Sequence, residues 1–250
     1  MKTSNRLLLG ALVLILIFIG TMITIVKIDY DKGTGNIIKG NGVVVSQVRE
    51  TPLFREVEVT GPISLELTQG STCLLKLETD ENLIDLISTE VKNEKLKISL
   101  SKKINNLETT KVNLSAPVLQ SVALYSGAKL IARDTITSDD LSISVSSRSR
   151  ADLLVHATNL RLNGSAGGKI ILQGNSDNLK ISSNSGGYID ASKLKTENCQ
   201  VVSSSGATSK IWVTGECSIK VNSGARVKYT GSPVMQDLDI SSGGSVSRDD

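Results

Sequence analysis

From about Val118 onward, apolar and polar residues alternate with a period of two, the period at which successive side chains of a strand share a face. Leu160, Leu162, Gly164, Ala166, Gly168, Ile170 and Leu172 fall on one such face. Leu179, Ile181, Ser183, Ser185, Gly187, Ile189 and Ala191 form a second, and Cys217, Ile219, Val221, Ser223, Ala225, Val227 and Tyr229 a third. Each run reads large, small, large. The pattern predicts two short strands that meet at a narrow corner rich in Ser and Gly, with no long loop between them.

These runs belong to an internal repeat. The segments VALYSGAKLIA, LSISVSSRSRADLLV, LRLNGSAGGKIIL, LKISSNSGGYIDA, CQVVSSSGATSKIWV, CSIKVNSGARVKY and LDISSGGSVS share one plan. Aligned on the small residue after the central Ser-Gly, they place Ala128, Ala151, Gly168, Gly187, Ala207, Ala225 and Gly244 in register, at spacings of 23, 17, 19, 20, 18 and 19. The preceding residue is Gly127, Gly167, Gly186, Gly206, Gly224 or Gly243 in all units but one, where Arg150 stands. Glycine there fits a bend that needs φ > 0 or close backbone contact, so Arg150 is expected to mark a distorted unit. A unit this thin cannot bury its apolar face alone; stacking units in parallel buries a continuous column. The fold expected is all-β, a parallel β-helix or β-solenoid with rungs of about 20 residues. An antiparallel sandwich is the alternative, but it does not require units of equal length.

Residues 33–117 are also rich in alternating runs, though less regular. Val57, Val59, Ile63, Leu65 and Leu67 alternate around Gly61-Pro62, and residues 80–86 suit a short helical turn. Ile131, Leu154 and Ile171 are apolar at outward positions. Part of the first half is therefore expected to cover them, because a free flank should be polar. The chain thus divides into residues 1–32, a β-rich part at 33–117 and the solenoid repeats at 118–250.

Within residues 1–32, positions 7–26 (LLLGALVLILIFIGTMITIV) carry no charge. As a helix this run spans about 30 Å, the thickness of a bilayer's hydrocarbon core. Lys2 and Arg6 precede it, as suits an end that stays in the cytoplasm. The run is longer than the apolar part of a cleaved signal, and no small-x-small cleavage site follows it. It reads as a single-pass signal anchor, with a cleaved signal as the alternative. Either places residues 33–250 outside the cytoplasm, in the periplasm or at the cell surface.

GTGN at 33–36 and FREVEVTGPISLELTQG at 54–70, followed by Ser-Gly-rich repeats, resemble the autotransporter-adhesin head GIN domain family. The resemblance covers roughly residues 33–247, and VEVTGPISLELTQG is its most specific segment. It implies a β-helical fold, export in Bacteroidetes-type bacteria and no established catalytic residues. The long apolar run departs from the cleaved or lipid-attached signals often found in that family.

Composition narrows the chemistry. The 28 basic and 25 acidic residues are mixed along the chain, and aromatic residues make up only 3%. No basic patch interleaved with rings points to nucleic acid. His156 is the only histidine, which leaves a zinc site to thiols and carboxylates from elsewhere. No metal site and no cofactor are expected. Cys199 and Cys217 occupy equivalent inward positions in consecutive units. They read as buried thiols or, alternatively, as a strained disulfide.

β-Helical proteins are often carbohydrate-active, but hydrolysis needs two carboxylates about 5–10 Å apart. The outward column Lys129, Asp152, Lys169, Tyr188, Thr208, Arg226 and Ser245 offers no acidic cluster. Another outward column reads Arg148, Ser165, Asn184, Ser204 and Asn222. Tyr188 and Trp212 are the rings placed to act as sugar platforms, and Asn184 and Asn222 the amides placed to assist them. The expectation is a membrane-anchored, non-enzymatic envelope protein that binds a surface glycan or another envelope protein. A purely structural envelope component and a carbohydrate-active enzyme are the alternatives.

Overall fold

The computed structural model describes residues 15, 20–22, 38–102, 104–105 and 110–249. Of the apolar run at 7–26, only Ile15 and residues 20–22 are described, and they are helical; the rest of that expected anchor lies outside the described residues. Among the described residues, no helix is long and apolar enough to cross a membrane. The chain forms two units. One comprises residues 1–39 and 102–105, in which Ile38–Lys39 pairs in parallel with Ile104–Asn105. The other comprises residues 40–101 and 106–250 and holds the repeats.

That second unit is a parallel β-solenoid. Each rung has two arms joined by a tight corner, and the second arm runs on into the first arm of the next rung. The strands Lys129–Val145, Arg150–Gly164, Lys169–Ser183 and Tyr188–Ser203 each contain such a continuation. Where the chain passes from one rung to the next, two consecutive residues point outward: Thr158-Asn159, Asp177-Asn178 and Glu197-Asn198. That slip of one residue turns the sheet without ending it.

Alternation places one apolar side chain of each rung directly above its counterpart. One such column runs Leu96, Val57, Val122, Ile143, Leu162, Ile181, Val201, Ile219 and Leu238. All of these but Leu238 are at most 2% exposed. Burying each contributes about 1.5–3 kcal/mol, and none is buried without its neighbours.

The corner is a type I′ turn, in which both central residues have φ > 0. The pairs are Ser126-Gly127, Ser147-Arg148, Ala166-Gly167, Ser185-Gly186, Ser205-Gly206, Ser223-Gly224 and Ser242-Gly243. Each is closed by an N–H to carbonyl bond across four residues, such as Gly168 to Ser165 at 2.7 Å and Gly187 to Asn184 at 2.9 Å. The corners also bond to one another, with the N–H of Gly186 donating to the Ser205 carbonyl and that of Gly206 to Ser223. The backbone ladder thus continues around the bend.

Two expectations are corrected here. The residues that close the turns are Ala128, Ser149, Gly168, Gly187, Ala207, Ala225 and Gly244, at spacings of 21, 19, 19, 20, 18 and 19. Ser149, not Ala151, is therefore the equivalent residue in the second unit, and Arg150 is an ordinary strand residue paired with Lys129 and Lys169. The residue in the glycine position is Arg148, at φ 62°. The unit is not distorted, because the turn geometry is kept and the arginine bears the left-handed strain. Likewise Ala166, Ser185 and Ser223 are exposed turn tips rather than inward residues, since two tip positions project outward before alternation resumes. Arg148→Gly is expected to stabilise the fold by about 0.5–1 kcal/mol, the left-handed cost of a residue with a Cβ less the entropy glycine loses. The check is a higher urea midpoint with an unchanged slope.

The described strands of residues 44–100 and 111–116 extend the solenoid rather than cover its flank. The rung made of Glu56–Thr60 and Ser64–Gln69 stacks between Lys95–Leu100/Lys111–Ala116 and Ser121–Tyr125/Lys129–Val145, out of sequence order. Lys95–Glu56 at 3.0 Å and Lys97–Glu58 at 3.4 Å bridge this junction. Antiparallel strands close that end: Ile87–Lys92 on one sheet, and Leu74–Asp80 followed by Val44–Arg49 on the other. Ile131 and Leu154 remain 53% and 43% exposed, contrary to the expected covering, whereas Ile171 is half-buried. Ile131 has Glu66 on one side and Asp152 on the other, so its flank is not a continuous apolar patch.

Candidate binding groove

The residues nominated from the sequence are dispersed. Asn184 and Asn222 each open a type I′ corner, two rungs apart. Tyr188 begins the outward face of the second arm, four residues after Asn184. The Lys169 ammonium sits 5.0 Å from its ring centre, and its hydroxyl donates to Asp190 at 3.1 Å. Burial and the neighbouring Asp190 raise the Tyr188 phenol above its ordinary range. Burial alone would raise the Asp190 carboxyl too, but hydrogen bonds from Ser192 and Tyr188, with the charge of Lys210, hold it below its usual value.

Trp212 is half-buried and lies beside Lys195, whereas Tyr188 lies beside Thr208. The two rings are thus offset by four residues, about 13 Å along the strand at strand rise. They share a sheet face but do not form one platform.

Cys199 and Cys217 are direct register partners, and both are buried free thiols. Hydrogen bonding with Cys217, and then burial, push the Cys199 thiol well above its ordinary value. The pair fills a place in the inward column that Leu160 and Leu179 fill in earlier rungs. His156 is exposed, and its Nδ1 meets the side-chain oxygen of Asn175. Among the described residues, no three His, Cys, Asp or Glu side chains come together as metal ligands.

The concavity with the most regular chemistry lies along the passage between rungs. An open groove of about 290 Å³ is bounded by two outward columns. One column is Asn159, Asn178 and Asn198, ending on Glu216; the other is Arg161, Lys180, Gln200 and Ser218. The asparagines form a ladder. Asn178 Nδ2 donates to Asn159 Oδ1 at 3.1 Å, and Asn198 Nδ2 donates to Asn178 Oδ1 at 3.2 Å. The backbone N–H of Glu216 donates to Asn198 Oδ1 at 3.3 Å. That last bond orients every amide in the row: a main-chain donor must meet an oxygen, so Asn198 turns its oxygen toward Glu216, and Asn178 and Asn159 follow.

Asp140 continues the ladder column beyond Asn159, and Arg161 lies 3.8 Å from its carboxylate. On the other side of the same bend, a second concavity of about 430 Å³ is lined by Asp177, Glu197, Lys195 and Thr214 among others. The ladder was not anticipated from the sequence. Its signal is an asparagine immediately before Leu160, Leu179 and Cys199, 19 and 20 residues apart.

The family model described as "Putative auto-transporter adhesin, head GIN domain" matches residues 53–233. The chain belongs to this family. Solved structures similar to this head GIN domain include a "putative adhesin" from Bacteroides fragilis, with a TM-score of 0.78 and 19% identity, over 85% of this chain and 100% of that one. A "putative lipid binding protein" from Parabacteroides distasonis has a TM-score of 0.70 and 17% identity, over 86% and 100%. A "putative adhesin" from Parabacteroides merdae has a TM-score of 0.68 and 18% identity, over 86% and 100%. At these identities the likeness establishes the solenoid fold of the head GIN domain and nothing finer. No curated protein matches the chain.

Proposed function

We propose that this head GIN protein is a membrane-tethered, non-enzymatic binding module of the cell envelope, held outside the cytoplasm by residues 7–26. The groove along the asparagine ladder carries this reading: it is open, extends over successive rungs and presents fixed polar groups, as an elongated surface ligand requires. The apolar run of 20 residues supports the tether. Within this groove, the spacing of the acids argues for binding over hydrolysis. Asp140 and Glu216 end the ladder column four rungs apart. That is about 19 Å, well beyond the separation of a hydrolytic pair.

The test is retention of the full chain, purified in detergent, on an array of surface polysaccharides and envelope proteins, with the bound polysaccharides analysed for cleavage products. Retention without new chain ends is expected. Cleavage products, or no retention at all, would contradict the proposal.

A further inference from the structure

With the groove as the binding surface proposed above, on which this inference rests, its own chemistry specifies the class of ligand. In the ladder, the side-chain oxygens of Asn159, Asn178 and Asn198 are each occupied by a donor from the next rung. Each amide nitrogen carries two hydrogens, and the ladder uses one hydrogen of Asn178 and one of Asn198. What the amide column offers a ligand is therefore N–H groups, repeated rung after rung, while each of its oxygens already accepts one bond.

The facing column adds the Arg161 guanidinium and the Lys180 ammonium on adjacent rungs. Arg161 lies 3.8 Å from Asp140, and both side chains are more than half exposed, so that pair holds the guanidinium weakly. Lys180 makes no ion pair among the described residues. A wall rich in donors with two adjacent cations matches a ligand rich in acceptors and negatively charged. Glu216, at the far end, works against an anion there and gives the groove a direction.

The repeat distance selects the kind of polymer. Rungs, and with them the free N–H groups, recur about every 4.8 Å. An extended peptide presents side chains on one face only every second residue, about every 6.6 Å, and falls out of step after one or two rungs. A polymer with acceptors on each successive sugar can follow the column more closely. We propose that the groove bounded by Asn159, Asn178, Asn198, Arg161 and Lys180 binds an anionic polysaccharide, one bearing carboxylate or sulfate groups along its length, with the negative groups seated toward Arg161 and Lys180.

The test uses the full chain in detergent against immobilised polygalacturonate, dextran sulfate, uncharged dextran and poly-L-glutamate. One or both anionic polysaccharides are expected to hold the protein, the carboxylate and sulfate arms distinguishing which group is preferred. Binding should fall with added salt. Arg161→Glu with Lys180→Glu is expected to weaken it about tenfold or more. Both residues point outward, and the milder Arg161→Gln with Lys180→Gln pair should weaken it in the same direction. Glu216→Gln is expected to strengthen it about twofold by removing a like charge. Dextran or poly-L-glutamate held as tightly as the anionic polysaccharides would overturn the assignment. So would anionic binding unchanged in the charge-reversed variant, while leaving a binding role standing. Retention of none of the polymers would overturn the assignment alone if the wider array retains the protein, and the proposed function with it if the array does not.

Discussion

Gly174→Ala is expected to destabilise the solenoid by about 3–5 kcal/mol, although it adds a single methyl group. Gly174 lies within the strand Lys169–Ser183, at φ 115°, a conformation that a residue with a Cβ adopts only under strain. An added Cβ would stand 2.0 Å from the carbonyl oxygen of Val155 on the preceding rung. That oxygen belongs to the ladder and cannot retreat without breaking the pairing of Val155 with Gly174. The matched control is Gly206→Ala. Gly206 also has positive φ, at 71°, but it sits at an exposed corner where a Cβ meets nothing within 4 Å. It is expected to lose only about 0.5–1 kcal/mol, the left-handed penalty less the entropy that glycine loses on folding. Urea unfolding of the two variants measures the difference. Equal losses would mean that the rungs are not stacked as closely as described.

Leu162→Asp is expected to abolish stable folding of the central rungs, while Asn163→Asp, one residue further on, changes stability by about 0.5 kcal/mol or less. Leu162 is 0% exposed, between Ile143 and Ile181 in the inward column. A carboxylate there has apolar partners on both sides, and the cost of burying it unpaired exceeds what one rung contributes. Asn163 points outward, and its Nδ2 donates to Ser144 Oγ at 3.2 Å. Because each rung touches only its neighbours, damage at Leu162 spreads by depriving the rungs on both sides of a stacking surface. The readouts are far-UV circular dichroism and protease resistance, and comparable behaviour of the two variants would refute the alternation.

How far the sequence discloses this structure depends on the kind of feature. The inward columns were legible, because period-two alternation and equal unit length are properties of the chain itself. Leu162, Ile181 and Ile219 occupy the expected inward places. The glycine corner was legible in kind, since Gly127, Gly167, Gly186, Gly206, Gly224 and Gly243 all have positive φ. Its register in one unit was not. In SSRSRAD, Ser149 is as small as the Ala and Gly that close the other corners, and Ala151 imitates it two positions later. Only the pairing of Arg150 with Lys129 and Lys169 separates the two.

The stacking of residues 56–69 out of chain order leaves no mark on local pattern, because it is a choice among partners of similar chemistry. Tyr188 and Trp212 are outward as expected, and their offset follows from Trp212 standing four residues after Thr208, the register partner of Tyr188; the irregularity between Ala191 and Lys195 decides only that Lys195 lies beside Trp212. The asparagine ladder is marked in the sequence only by an Asn before Leu160, Leu179 and Cys199, at the passages between rungs where the period-two alternation slips.

The parallel stack is tested most directly by distances between paired spin labels at the corners. Ser146, Ser204, Asn222 and Ser241 each open a type I′ turn. With one label at Ser146 and the second at Ser204, Asn222 or Ser241, the partners are three, four and five rungs away. Backbone separations of about 14, 19 and 24 Å are predicted, rising by one rung spacing at each step. Distances that fail to rise in that order, as in a sandwich whose neighbouring strands run in opposite directions, would contradict the solenoid and every assignment built on it.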